Sequence, residues 1–188
     1  MNGLDRYLNE YEVIETKNAE IDCSDFELYK KKKLEVGYVK GTDLCSYGTP
    51  IVIRTLEGDN HISVTDEIIL MIGIKGEVYP ITVEKFQKSY QVLEGNYQCE
   101  AVYHPTVENE TTGESYSLVE YAKPCLAMGA VKVYAKQLTH GVKIFTKEDE
   151  RDCMTGEVGD YLAIREDDAH DIYVIEERIF KITYEKVQ

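Results

Sequence analysis

The sequence predicts an α+β, mainly β protein: two tandem repeats, each a β-hairpin followed by a short helix, packed against each other with pseudo-twofold symmetry. Three observations lead there. Residues Val64 to Leu93 align without a gap on Val158 to Val187 at a constant offset of 94, so Asp66 falls on Asp160, Tyr79 on Tyr173, Ile81 on Ile175, Phe86 on Phe180 and Tyr90 on Tyr184. Within that segment an isoleucine-rich run precedes two aromatics four residues apart, the order strand then helix. The match also continues upstream with small shifts. Ile51, Ile53, Thr55 and Glu57 lie on Val142, Ile144, Thr146 and Glu148 at an offset of 91, and Tyr38-Val39-Lys40 echoes Tyr134-Ala135-Lys136 at 96. Each repeat is thus about 55 residues, too small to bury much surface alone, which favours packing of one copy on the other.

In chain order, residues 1–35 read as a helical segment, because Leu4, Tyr7, Tyr11 and Ile14 share one helical stripe and Ser24-x-x-Glu27 forms a possible capping box before Leu28. Repeat 1 occupies 36–94. Its alternating stretch from Thr49 to Leu56 reads as a strand, and the apolar run from Glu67 to Ile74 as a strand covered on both faces. Lys75-Gly76 then forms a tight turn to Glu77-Val78-Tyr79-Pro80-Ile81, with Pro80 ending that arm or placing it at a sheet edge. Thr82 caps a helix from Val83 to Tyr90 that turns Phe86 and Tyr90 toward the sheet.

The connector, 95–130, reads as a hairpin around Asn109-Glu110-Thr111-Thr112-Gly113, and repeat 2 fills 131–188. There Tyr161 to Arg165 pairs with Ile172 to Ile175 across residues 166–171, a loop longer and more acidic than Lys75-Gly76, and Phe180 and Tyr184 repeat the helix face. Those four helix-face aromatics are core in this reading, since both copies keep them at helical spacing beside a strand.

Composition sets the class. With 188 residues, 43% hydrophobic and 30% charged, the chain has enough apolar content for a core. No stretch approaches a membrane-spanning length, and Met1-Asn2-Gly3-Leu4-Asp5-Arg6 lacks the start of a secretory signal, so a cytoplasmic location and no membrane partner are expected. Five cysteines, Cys23, Cys45, Cys99, Cys125 and Cys153, form no Cys-x-x-Cys pair and argue against a disulfide framework. Cys99, His104 and Cys125 match no zinc spacing, so no metal and no cofactor are expected. The sequon Asn109-Glu110-Thr111 carries no meaning without secretion.

The pattern Val158-Gly159-Asp160-Tyr161-Leu162, then Tyr173, then Phe180-x-x-Thr183-Tyr184-Glu185 resembles small tailed-phage and prophage accessory proteins with a Gly-Asp-Tyr turn, a Tyr-Pro strand end and a Phe-x-x-Thr-Tyr-Glu helix. Repeat 1 is similar at Thr55-Leu56-Glu57-Gly58 and at Gly73-Ile74-Lys75-Gly76-Glu77-Val78-Tyr79-Pro80. It departs at Thr65-Asp66-Glu67, as repeat 2 does at Val174. The resemblance implies a viral accessory origin and no catalytic residue.

Common enzyme motifs are missing: no Gly-x-Gly-x-x-Gly, P-loop, Gly-x-Ser-x-Gly or His-Glu-x-x-His. Asp66 and Asp160 are a repeated carboxylate best explained by a turn amide, and His61, His104, His140 and His170 occupy no equivalent positions. Charge says more. Between Glu148 and Glu177 stand 12 acidic residues against Arg151 and Arg165, most of the net −14. Solubility is the bland explanation. An acidic face that occupies a basic nucleic-acid channel on a host protein is the functional one, and it disfavours direct nucleic-acid binding.

Fifteen tyrosines against four phenylalanines and no tryptophan supply a second hint, although strand propensity accounts for part of the excess. The expectation is therefore a non-enzymatic inhibitor of a bacterial host factor, such as a CRISPR nuclease, monomeric or homodimeric. Its contacts would be Glu148, Asp149, Glu150, Glu166, Asp167, Asp168 and Asp171 with Tyr103, Tyr116 and Tyr121. The alternatives are a pocket between the repeats that captures a small nucleotide signal through Arg54, Lys143 and Arg165, and a hydrolase of such a signal.

Overall fold

The computed structural model describes residues 11–55, 57–99, 103–146 and 153–188. From the amino end come strands β1 (Tyr11–Glu15), β2 (Glu27–Lys31) and β3 (Glu35–Lys40), then the single turn α1 (Gly41–Leu44). Next are β4 (Pro50–Arg54), β5 (Asp59–Ser63), β6 (Ile68–Ile72), β7 (Val78–Thr82), helix α2 (Val83–Ser89) and β8 (Tyr90–Val92). The connector supplies β9 (Thr106–Asn109), β10 (Ser115–Ser117) and β11 (Lys123–Ala127). The last third holds β12 (Lys132–Gln137), β13 (Gly141–Phe145), β14 (Cys153–Gly156), β15 (Tyr161–Arg165), β16 (Asp168–Ile175), α3 (Glu177–Thr183) and β17 (Tyr184–Lys186).

These elements fall into two compact units. The first combines residues 11–30 with 131–188; the second is residues 31–130. In the second unit a five-stranded sheet runs β7-β6-β3-β11-β8 and a four-stranded sheet runs β10-β9-β4-β5. In the first, a five-stranded sheet runs β16-β15-β12-β2-β17 and a three-stranded sheet runs β1-β13-β14. Both five-stranded sheets have the same plan, with β16 standing for β7, β15 for β6, β12 for β3, β2 for β11 and β17 for β8.

This overturns the expected fold class. Among the described residues 49% are strand and 11% helix, in four small sheets, not two consecutive hairpin-plus-helix repeats packed about a pseudo-twofold axis. Each hairpin and helix does form, but as the outer part of a larger sheet whose remaining strand comes from the other half of the chain. The physical reason lies in strand edges: β3 and β12 pair with the hairpin on one side only, and β11 or β2 must satisfy the other.

Each unit is layered in the same way. In the second, Val39, Leu70 and Ile72 from the large sheet meet Ile51, Ile53 and Val107 from the small one, while Val36, Tyr38, Ile69 and Met71 turn the other way onto Phe86 of α2. Alternate residues of β6 therefore feed two cores, which explains its nearly continuous apolar sequence. In the first unit Leu162, Ile164 and Val174 meet Ile14, Val142 and Ile144, and Val133, Ala135 and Ala163 pack under Phe180 of α3.

Register corrects the gapless alignment. Tyr79 lies opposite Met71 and Tyr173 opposite Ala163, so Met71 corresponds to Ala163, two positions from the partner that the offset of 94 assigns. The difference is absorbed at the hairpin ends. Residues 73–77 link Ile72 to Val78, whereas Ile164 and Ile172 are linked by 165–171, in which Arg165 pairs with Asp168 around the two-residue turn Glu166-Asp167. The loop expected at 166–171 is thus largely strand β16 with a bulge. Likewise Tyr38 opposes Met71 and Ala135 opposes Ala163, so the Tyr38 and Tyr134 echo is one residue out of register.

The amino-terminal segment is also corrected. Its described part is strand, since Tyr11 to Glu15 forms β1 and the presumed capping box leads into β2. There Ser24 donates its amide to Asp22 Oδ1 at 2.9 Å, an Asx turn rather than a helix cap. Leu4 and Tyr7 lie outside the described residues. Thr82 does cap its helix, accepting the Lys85 amide at 3.3 Å. The connector hairpin joins β9 to β10, with Asn109 Oδ1 accepting the amides of Thr111 and Thr112.

Candidate interaction surface

The unit formed by residues 11–30 and 131–188 carries a groove of about 570 Å³ between the amino-terminal arm and the turn from β12 to β13. Its floor is apolar: Ile14, Leu138, Val142 and Leu162 are buried there, with Ile21 and Phe26 partly covered. Its rim is acidic. Glu12 and Glu15 come from β1, and Glu20, Asp22 and Asp25 from the stretch that follows. The basic side chains lining the same groove are Lys136, bonded to Asp25, and His140, whose Nε2 lies 2.6 Å from Glu12 Oε2. The Ser24 amide holds the Asp22 carboxyl below its ordinary range, so it stays ionised. β1 is also an edge strand of its sheet.

The predicted contact residues scatter differently. Glu148, Asp149 and Glu150 lie outside the described residues. Glu166 and Asp167 form an exposed two-residue turn, but Arg165 grips Asp167 with Nε and Nη2, both at 2.9 Å, and sits 3.5 Å from Asp171. Asp168 accepts the His170 amide at 3.1 Å. One guanidinium thus offsets part of that negative charge, and the turn stays net acidic.

Tyr103 and Tyr121 are about half exposed, at 48% and 46%. Tyr116 packs on the core, and its hydroxyl donates to Glu114 at 3.1 Å. Tyr97 packs over Gly37, where a Cβ would sit 2.5 Å from its ring, and burial pushes its phenol up to about 12. It is partly buried against the core. The more exposed Tyr47 escaped the sequence reading.

The cations proposed for an anionic ligand are divided between the two units. Arg54 belongs to the unit of residues 31–130 and faces Asp59 and Glu108, at 3.4 and 3.6 Å. Lys143 and Arg165 belong to the other unit, with Lys143 over the Tyr11 ring. A second cavity, of about 280 Å³, includes Arg54 but also Glu77 and Glu108.

Among the described residues no three His, Cys, Asp or Glu side chains are placed to hold a metal ion. Cys125 is fully buried, its thiol pushed up to about 12 by desolvation, and His104 bonds Ser117. Asp160 bridges two backbone amides, accepting from Glu157 and from Glu177 at the start of α3, while Asp66 is exposed. No helix among the described residues is long and apolar enough to cross a membrane.

The groove residues Glu12, Glu20, Asp22 and Asp25 fall outside the sequence expectation because acid is denser in repeat 2. The signal was present: residues 11–27 hold six carboxylates and one lysine. Comparison with protein-family models, with curated proteins and with solved structures finds no match to this chain.

Proposed function

We propose that this chain acts by binding rather than by turnover, as a phage-type accessory protein that occupies a basic, nucleic-acid-binding surface of a bacterial host factor in the host cytoplasm. The observation that supports the reading is the acid-rimmed groove with an apolar floor. Carboxylates on the rim attract a lysine- or arginine-rich segment from a distance, and Ile14, Ile21 and Phe26 offer contact to the aliphatic stems of the same side chains. The exposed turn at Glu166 and Asp167 adds to the field, and the other unit carries the half-exposed tyrosines Tyr103 and Tyr121 as contact area of its own. The phage setting and a defence effector such as a CRISPR nuclease as target rest on the Gly-Asp-Tyr to Phe-x-x-Thr-Tyr-Glu resemblance.

The test is capture from bacterial lysate followed by kinetics with the purified target. Replacing Glu12, Glu20, Asp22 and Asp25 with lysine should slow association at least tenfold at low salt and flatten its ionic-strength dependence. Inhibition should saturate near one chain per target. Unchanged association by the charge-reversed chain, or altered product at sub-stoichiometric amounts, would contradict the reading.

A further inference from the structure

The arm of residues 11–30 completes a unit whose other strands all come from residues 131–188. Its strand pairing among the described residues runs to that partner segment. β1 pairs with β13, β2 with β12, and Leu28 accepts the Val187 amide at 2.8 Å. Tyr11 donates to Glu157, Lys186 to Glu27 and Lys136 to Asp25, and Ile14 is buried among Val142, Ile144 and Leu162. The connector does the same in the other unit, where its strands β9 to β11 complete the unit of β3 to β8. Each half of the chain thus lends strands to the other, with β2 and β11 in matching places of the two large sheets.

We propose that the arm of residues 11–30 also exchanges between copies of this chain, giving a strand-exchanged dimer in which the arm of each copy completes the 131–188 segment of the other. Every contact named above forms identically whether the arm belongs to the same chain or to another, so no new surface is required. The choice then depends on the crossing of residues 32–34 between β2 and β3. While it is long enough, the tethered arm wins by its high effective concentration. A shorter crossing removes that advantage and leaves the intermolecular route, in a reciprocal pair that closes on itself.

The experiment deletes Lys32 and Lys33, which removes roughly 7 Å of reach, and measures mass by light scattering with melting followed by circular dichroism. The expected product is a dimer of the 21.5 kDa chain with strand content and melting temperature close to those of the intact protein. A folded monomer would overturn the proposal. Lys30 and Lys132 are register partners across β2 and β12, so a trap keeps the idea falsifiable if the shortened chain does not fold. Full-length K30C and K132C chains with different tags, unfolded together and refolded at high concentration, should yield a disulfide between the two new cysteines, located by peptide mass. Refolded chains joined at no K30C–K132C link would likewise overturn it.

Discussion

Phe180 lies under three tyrosines, with ring centroids 3.8 Å from Tyr161 and 4.9 Å from Tyr29 and Tyr184. In the other unit Phe86 meets Tyr38 at 4.7 Å and Tyr90 at 5.5 Å. Both phenylalanines are buried beneath a short helix, so truncation leaves a cavity rather than a hydrated surface. Phe86→Ala and Phe180→Ala should each cost about 3–5 kcal/mol, measured by urea unfolding. Glu77 gives a pH signature. Its half-buried carboxyl folds back over Gly73 and accepts the Lys75 amide at 2.9 Å, and burial raises its pKa above the ordinary carboxylate value. A carboxyl raised in the folded state contributes stability below its unfolded pKa and loses it as pH rises through the folded value. Glu77→Gln should therefore melt higher than the parent at pH 7, the gap closing as pH falls toward 4. A constant gap across that range would exclude this origin.

At the scale of elements, the repeated aspartate has diverged. Asp160 ties the turn after β14 to the first amide of α3, whereas Asp66 is exposed before β6. Asp160→Ala should cost about 1–3 kcal/mol and Asp66→Ala much less, a contrast visible in thermal melts. The hairpins, the α2 cap and the helix-face aromatics were legible because period and capping chemistry are local properties. Sheet membership was not. β2 reads as a charged Glu-Leu-Tyr-Lys-Lys stretch, yet it fills an inner position between β12 and β17. Its pairing is set by β12 and β17, in the last third of the chain, and short-range pattern carries no such information. The groove failed for the same reason, since its acidic rim and the wall from β12 to β13 belong to opposite ends of the chain.

At the scale of the whole molecule, the duplication is one of complementary halves and not of self-sufficient beads. Each half lends its leading strands to the other, so neither large sheet is complete within one repeat. Function on this reading inherits the arrangement, because the groove exists only while the arm is docked, and loss of the arm should abolish target binding as well as stability. The most direct measurement is native-state hydrogen exchange on the full chain carrying Phe180→Ala. That substitution weakens the unit of residues 11–30 and 131–188 and should leave the other unit intact. Amides of β2, at Leu28 and Tyr29, should lose protection together with those of β12 and β15, while β3, β6 and β11 keep theirs. Protection of β2 that instead followed β3 and β6 would contradict the exchanged-arm architecture.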